Sequence, residues 1–121
     1  MNEKYDNIRL QYKIWLESED GKGVLGDGKW QILKAIRTHG SLMAACQALG
    51  MTYRRTWNDL KKIEQMLGFS IVQKSRGGKE GGRTILSEEG LRLVEAFDHF
   101  HENVDELIRK KFQILLEELR K

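Results

Sequence analysis

A mainly α chain with a small β component (α+β) is the fold class this sequence predicts, and three observations predict it. Residues 40–57, GSLMAACQALGMTYRRTW, read as two short helices joined at a glycine, the second with a basic outer face. Residues 71–86 set two short β-prone runs on either side of a basic loop rich in glycine. From Ser87 to the C-terminus, apolar residues recur mostly every three or four positions. Helix, tight turn, helix, β-hairpin and long helix in this order make a winged helix-turn-helix with a small strand or hairpin in front of it. One domain is expected over 1–121, with 1–28 as the N-terminal strand and loop, 29–86 as helix-turn-helix and wing, and 87–121 as a long dimerisation helix.

Each element has its own sequence warrant. Residues 8–16, IRLQYKIWL, alternate as a strand with Ile8, Leu10, Tyr12, Ile14 and Leu16 on one face. The Gly- and Asp-rich stretch that follows reads as a turn and a short return strand around Val24 and Leu25. A first helix begins at Lys29, with Trp30, Ile32, Leu33 and Ile36 at helical spacing, and His39-Gly40 ends it. Ser41 is placed to cap the second helix, whose Leu42, Ala45, Cys46 and Leu49 share one face. Gly50 makes the turn, Thr52 is placed to cap the third helix, and Thr56, Trp57, Leu60, Ile63 and Leu67 point inward. Small Ala44, Ala45 and Cys46 let the two helices cross closely. Ile71 to Lys74 and Thr84 to Leu86 are the wing strands. Ser87, with Glu88 and Glu89 in the first turn, starts the last helix by capping and by macrodipole. At 1.5 Å per residue that helix spans roughly 45 Å, more than a core this small covers, so part of its apolar face is expected to meet a second subunit. Phe97, Phe100, Val104, Leu107, Ile108, Phe112, Leu115 and Leu119 are the expected dimerisation residues.

Charge narrows the partner. The chain has 121 residues and a net charge of +3, unevenly distributed. Residues 1–50 hold 7 basic and 6 acidic groups, residues 51–86 hold 8 and 3, and residues 87–121 hold 6 and 9, which gives +1, +5 and −3. The positive field therefore sits on the third helix and the wing, which suits a polyanion there, and the acidic last third is a poor surface for nucleic acid. Cys46 is the single cysteine, so an intrachain disulfide is excluded and a reducing, cytoplasmic setting is expected. The N-terminus lacks the apolar run of a signal peptide, and no stretch approaches the ~18 apolar residues of a membrane span.

On the third helix Arg54, Arg55, Asn58, Lys61 and Lys62 share the outer face. Arg matches guanine bidentately and Asn matches adenine, which makes Arg54, Arg55 and Asn58 candidates for base edges and Lys61 and Lys62 for phosphate. The plain alternative is a solvated helix face. Ser41, Thr52 and Tyr53 are candidates for phosphate contacts from helix N-termini, against capping alone for Ser41 and Thr52. In the wing, Arg76, Lys79 and Arg83 would touch phosphate or the minor groove, against a merely flexible loop. Trp57 faces inward at helical spacing and reads as core, as do Trp15 and Trp30.

Other chemistries fare worse. GGKEGGRT at 77–84 is one residue from a phosphate-binding P-loop, but it puts Arg where the lysine belongs and runs into a β-prone segment rather than a helix. His99 and His101 stand two apart on a helix and face different directions, whereas a metal pair wants i and i+4; His101 with Asp105 or Asp98 is geometrically possible, but a polar helix face is the plainer reading, so no metal or cofactor is expected. Cys46 occupies a small-residue slot at a helix crossing and reads as an inert buried thiol. No Ser-His-Asp triad or carboxylate pair stands out convincingly, so no enzyme is expected.

With these elements in place, the stretch from Trp30 to Phe97 resembles the N-terminal DNA-binding domain of the ModE-type, molybdate-dependent transcriptional regulators, and more distantly the LysR-type winged helices. The residues that carry the resemblance are Gly40, Ser41, Ala45, Leu49, Gly50, Tyr53 and Trp57, then Gly77-Gly78-Lys79 with Gly81-Gly82, and Leu86 with Gly90 and Leu93. The resemblance implies a homodimeric transcription factor of bacterial type that binds double-stranded DNA, its third helix in the major groove and its wing on the backbone or minor groove. The ModE family also carries C-terminal molybdate-binding domains. None is expected within the 121 residues of this chain, and molybdate sensing does not carry over. The competing expectation is a winged-helix protein-interaction module without specific DNA binding.

Overall fold

The computed structural model describes residues 4–22, 24–75 and 82–121, with the backbone alone at Val24. Among them the elements run β1 (Trp15–Glu17), β2 (Val24–Gly26), α1 (Asp27–His39), α2 (Leu42–Leu49), α3 (Tyr53–Leu67), β3 (Val72–Lys74), β4 (Thr84–Leu86) and α4 (Glu88–Arg120). This is the mainly α winged helix-turn-helix with a long C-terminal helix that the sequence predicts. The chain packs as two units, Lys13–Glu95 and the residues up to Tyr12 with Ala96–Lys121. No helix among the described residues is long and apolar enough to cross a membrane.

In Lys13–Glu95, the apolar faces of the three short helices close on one core. Leu25, Ile32, Leu33, Ile36, Leu42, Leu60, Ile63, Ile71 and Val94 are buried to 2 % exposure or less. At about 25 cal/mol per Å² of apolar surface, such side chains each stabilise the fold by roughly 1.5–3 kcal/mol. α1 starts two residues earlier than Lys29 because Asp27 sits favourably in the first turn, at the positive end of the helix dipole. Ser41 caps α2 as expected, its Oγ accepting from the Ala44 N–H at 3.1 Å. Thr52 makes no side-chain cap; it accepts through its carbonyl, from the Thr56 N–H at 3.2 Å and the Thr56 hydroxyl at 2.8 Å.

Two glycines are required by geometry. Gly50 holds φ at +68° in the turn between α2 and α3, a left-handed conformation that side chains disfavour. At Gly90, in the first turn of α4, an added Cβ would lie 2.2 Å from the Ile71 carbonyl oxygen. The same carbonyl accepts the Ser87 N–H at 2.9 Å, and the Ser87 hydroxyl donates to the Ser70 carbonyl at 2.7 Å while accepting from the Gly90 N–H at 3.0 Å. The start of α4 is thus fastened to the start of the wing by backbone contact.

Several expectations are corrected. The strand expected over 8–16 is confined to Trp15–Glu17, since β2 supplies three partners only: Trp15 pairs with Gly26, Leu16 with Leu25 and Glu17 with Val24. A strand needs a neighbour for its N–H and C=O groups, and among the described residues no strand pairs with residues 8–14. Instead, Ile8, Arg9, Leu10 and Tyr12 line a groove of about 430 Å³ with Asp105, Ile108, Arg109 and Phe112 of α4. The Tyr12 hydroxyl donates to the Asp105 carboxylate, and Arg120 forms an ion pair with Asp6 at 2.8 Å. The tryptophans are not core. Trp15 is 54 % exposed, while Trp30 and Trp57 are half-buried, and each of the latter two carries a lysine ammonium over its ring (Lys34 at 3.7 Å, Lys61 at 4.3 Å). Leu49, expected inward, is 40 % exposed.

Candidate nucleic-acid interface

The buried row of α3, Thr56, Leu60 and Ile63, fixes which residues face out. Arg54, Arg55, Asn58 and Lys62 are all exposed, and no ion pair holds any of them among the described residues. Their spacing over two turns makes a stripe about 12 Å long at 1.5 Å per residue, short enough to sit within one major-groove crossing. Gln65, three residues beyond Lys62 and exposed, extends the stripe. Periodicity alone would have found it, since 58, 62 and 65 follow the same i, i+4, i+7 row.

Lys61 sits differently. Its ammonium donates to the Glu64 carboxylate at 2.9 Å and lies over the Trp57 ring. Trp57 in turn stacks with Tyr53, ring centroids 6.3 Å apart and planes within 10°. The Tyr53 hydroxyl reaches the Thr84 hydroxyl at 3.5 Å. Glu64 also accepts the backbone N–H groups of Ile71 and Val72 at 2.8 and 3.2 Å. Burial pushes the Glu64 carboxyl up, but Lys61 and these two N–H donors outweigh it and hold the group below the ordinary glutamate value. Ser41 is buried and its hydroxyl serves as the cap of α2. Thr52 is exposed at the N-terminus of α3.

The wing stem pairs Val72 with Leu86, Gln73 with Ile85 and Lys74 with Thr84, and continues through the Ser75 N–H donating to the Arg83 carbonyl at 2.7 Å. Arg83 is exposed at its end. Arg76 and Lys79 lie outside the described residues, as does most of GGKEGGRT; Thr84, which would have to open a helix in a phosphate-binding loop, opens β4 instead. Lys74, exposed on β3, is a further basic wing residue, which sequence spacing marks only as part of a strand.

α4 carries the second candidate surface. Along Ala96–Lys121 its apolar residues divide into two rows. Phe97, His101 and Leu116 are buried, and Ile108 and Phe112 face the groove lined by Ile8, Leu10 and Tyr12. Phe100, Leu107, Leu115 and Leu119 are exposed, Leu107 most of all at 55 %, with Val104 half-buried. Ile114 is also exposed and was missing from the sequence reading; with Phe100 and Leu107 it forms a seven-residue repeat. His101 has its Nδ1 3.7 Å from the Asp105 carboxylate, His99 is exposed, and no group of three metal-ligating side chains occurs among the described residues.

The family model of the bacterial regulatory helix-turn-helix proteins of the LysR family matches residues 28–91, from the first turn of α1 to the first turn of α4. The chain belongs to this family. The LysR-family match covers the open stripe of α3 and the wing stem, together with the core that holds both. Among curated relatives, the molybdenum-pterin-binding protein MopB of Rhodobacter capsulatus is 29 % identical over 84 residues, 69 % of this chain and 31 % of MopB. The DNA-binding transcriptional dual regulator ModE of Escherichia coli K12 is 26 % identical over 91 residues, 75 % of this chain and 31 % of ModE. The molybdenum transport protein ModE of Azotobacter vinelandii is 27 % identical over 89 residues, 74 % and 33 % respectively. The chain thus aligns with about a third of the length of these relatives.

Proposed function

We propose that this chain binds double-stranded DNA sequence-specifically as a homodimer and so regulates transcription, by occupancy and without covalent chemistry. The carrying observation is the stripe of Arg54, Arg55, Asn58 and Lys62, exposed and without an ion pair among the described residues, on the third helix of a LysR-family helix-turn-helix. A guanidinium pair with no carboxylate to satisfy it is poised for guanine edges, and Asn58 for adenine. Lys62, with Arg83 and Lys74 on the wing, supplies the phosphate term, to which Arg76 and Lys79 of the loop are assigned as well; Ser41, Thr52 and Tyr53 are weaker candidates because each has a structural use or a plain cap position. Groove assignments follow: α3 in the major groove, the wing on the backbone or minor groove.

The homodimer rests on the uncovered row of α4. Charge favours one orientation. Asp98, Glu102, Asp105 and Glu106 precede Leu107, and Arg109, Lys110 and Lys111 follow it. Two copies crossing antiparallel at Leu107 bring Phe100 opposite Ile114 and the acidic stretch of each opposite the basic stretch of the other, while a parallel pair sets like charges together. A two-fold dimer matches a palindromic site. The names of the relatives connect them to molybdenum, but DNA binding is the role we assign to this segment, in a cytoplasmic regulator.

The same uncovered row supports a second reading, a module that docks a different protein and has no use for DNA sequence. Selection of bound duplexes from a random library at two salt concentrations separates the two. An enriched motif with two-fold symmetry is expected; weak binding that vanishes as salt rises, with no motif, would leave the interaction module.

A further inference from the structure

The hairpin β3–β4 is three residues a side, too short to hold an orientation by itself, since an isolated two-stranded hairpin is marginal in water. Beyond the burial of Val72, Thr84 and Leu86 and the Ser87 contacts at its base, a row of side chains on one face of α3 holds it. Tyr53, Trp57, Lys61 and Glu64 stand at i, i+4, i+8 and i+11, so they lie one above another along the helix. Both ends of the row grip the hairpin. Glu64 takes the N–H groups of Ile71 and Val72 at the base of β3, and Tyr53 meets Thr84 at the loop end of β4, the residue paired with Lys74. Between those ends the row is continuous: Tyr53 stacks on Trp57, the Lys61 ammonium covers Trp57, and the same ammonium is bound by Glu64.

We propose that this row is a strut that sets the angle of the wing to α3, and that Tyr53 and Glu64 are positioning residues that determine how far the wing's DNA contacts lie from those of Arg54, Arg55 and Asn58. The inference rests on the DNA-binding reading for its consequence, and on the contacts above for its mechanics. Two attachment points, separated by eleven residues of α3 or about 16 Å, define a line, and a hairpin pinned at two points along a line has little freedom to swing. Either pin lost leaves the hairpin held on α3 at one point only, with the Ser87 contacts at its base as a pivot. Lys61 is thereby spent inside the strut, which is why the basic outer stripe continues through Lys62 instead.

Two variants remove one pin each and leave the core intact: Tyr53→Phe deletes the hydroxyl and keeps the stack, and Glu64→Ala deletes the carboxylate. The first readout needs no DNA. Residual dipolar couplings of backbone N–H groups in the full chain are expected to fit one alignment for α3 and β3–β4 in the wild type, and separate alignments in each variant. A single shared alignment in both variants overturns the strut. The second readout is a hydroxyl-radical footprint on the duplex recovered by selection. In Glu64→Ala, protection of the wing flank is expected to fall about fivefold, as for one lost hydrogen bond, while protection of the half-site under α3 stays within about twofold. Equal loss over both regions, or no loss, overturns the positioning role. If the wild type itself protects no duplex while the couplings still separate in the variants, the DNA-binding reading falls and the strut stands.

Discussion

α3 and α4 are both amphipathic, and they differ in what covers their apolar faces. Thr56, Leu60 and Ile63 of α3 are buried within Lys13–Glu95, so the core of that unit closes over this helix and its outer face is free to be polar and basic, while Trp15, Met43 and Leu49 stay exposed elsewhere on the unit. Beyond Ala96, α4 keeps one row covered and leaves Phe100, Leu107, Ile114, Leu115 and Leu119 exposed in a single chain. Large exposed apolar patches are characteristic of interaction surfaces, which is the basis on which a second chain is proposed. In the function proposed above, the closed unit presents chemistry to DNA and the open helix brings a second chain.

That contrast can be broken in order of effect. Leu60→Ala strikes the closed unit and should cost about 2–5 kcal/mol, the range for a truncated core leucine, read as a lowered midpoint in urea. Leu107→Asp strikes the open helix and should weaken self-association by at least about 100-fold, by burying a carboxylate at the centre of the pair. The wild type should then melt at temperatures that rise with protein concentration and the variant at temperatures that do not. A concentration-independent wild type would remove the contrast. On the DNA side, Arg54→Ala or Arg55→Ala should cost about 1–3 kcal/mol on the selected site and relax one base position, whereas Lys62→Ala should weaken all sequences alike and flatten the salt dependence. Ser41→Ala should cost about 1 kcal/mol of stability through the lost cap of α2, with base preference unchanged.

The smallest effect is a pH dependence. The Glu64 carboxyl is lowered in the folded protein, so the unfolded chain binds its proton more readily than the native one. Its contribution to stability is complete above the ordinary glutamate value and is lost as pH falls through the lowered native value. Glu64→Gln should therefore flatten the acid limb of the stability profile and leave neutral pH dependence alone, as chemical denaturation across pH would show.

The three helices of the closed unit, the cap at Ser41, the turn at Gly50 and the wing strands are legible in the sequence because each is set by spacing of a few residues. The open stripe on α3 is legible for the same reason, and Gln65 belongs to it by the same count. What local spacing misreads is anything that depends on a distant partner. Ile8 to Ile14 alternates like a strand, but the ladder it needs ends with the three residues of β2. Trp57 has the spacing of a core residue, yet Tyr53 and Lys61 flank it on a half-buried face, and the grip of Glu64 on Ile71 and Val72 depends on where β3 returns. The eight expected dimerisation residues read as one stripe; the division into a covered and an uncovered row depends on the N-terminal segment, whose groove takes Ile108 and Phe112.

The most direct test is the mass of the complex formed with the selected duplex, measured by size-exclusion chromatography with light scattering at stoichiometric DNA. Two chains of 14.1 kDa per duplex are predicted, falling apart into the single-chain form with Leu107→Asp. One chain per duplex in the wild type, or a two-chain complex indifferent to Leu107, would contradict the division of labour between α3 and α4.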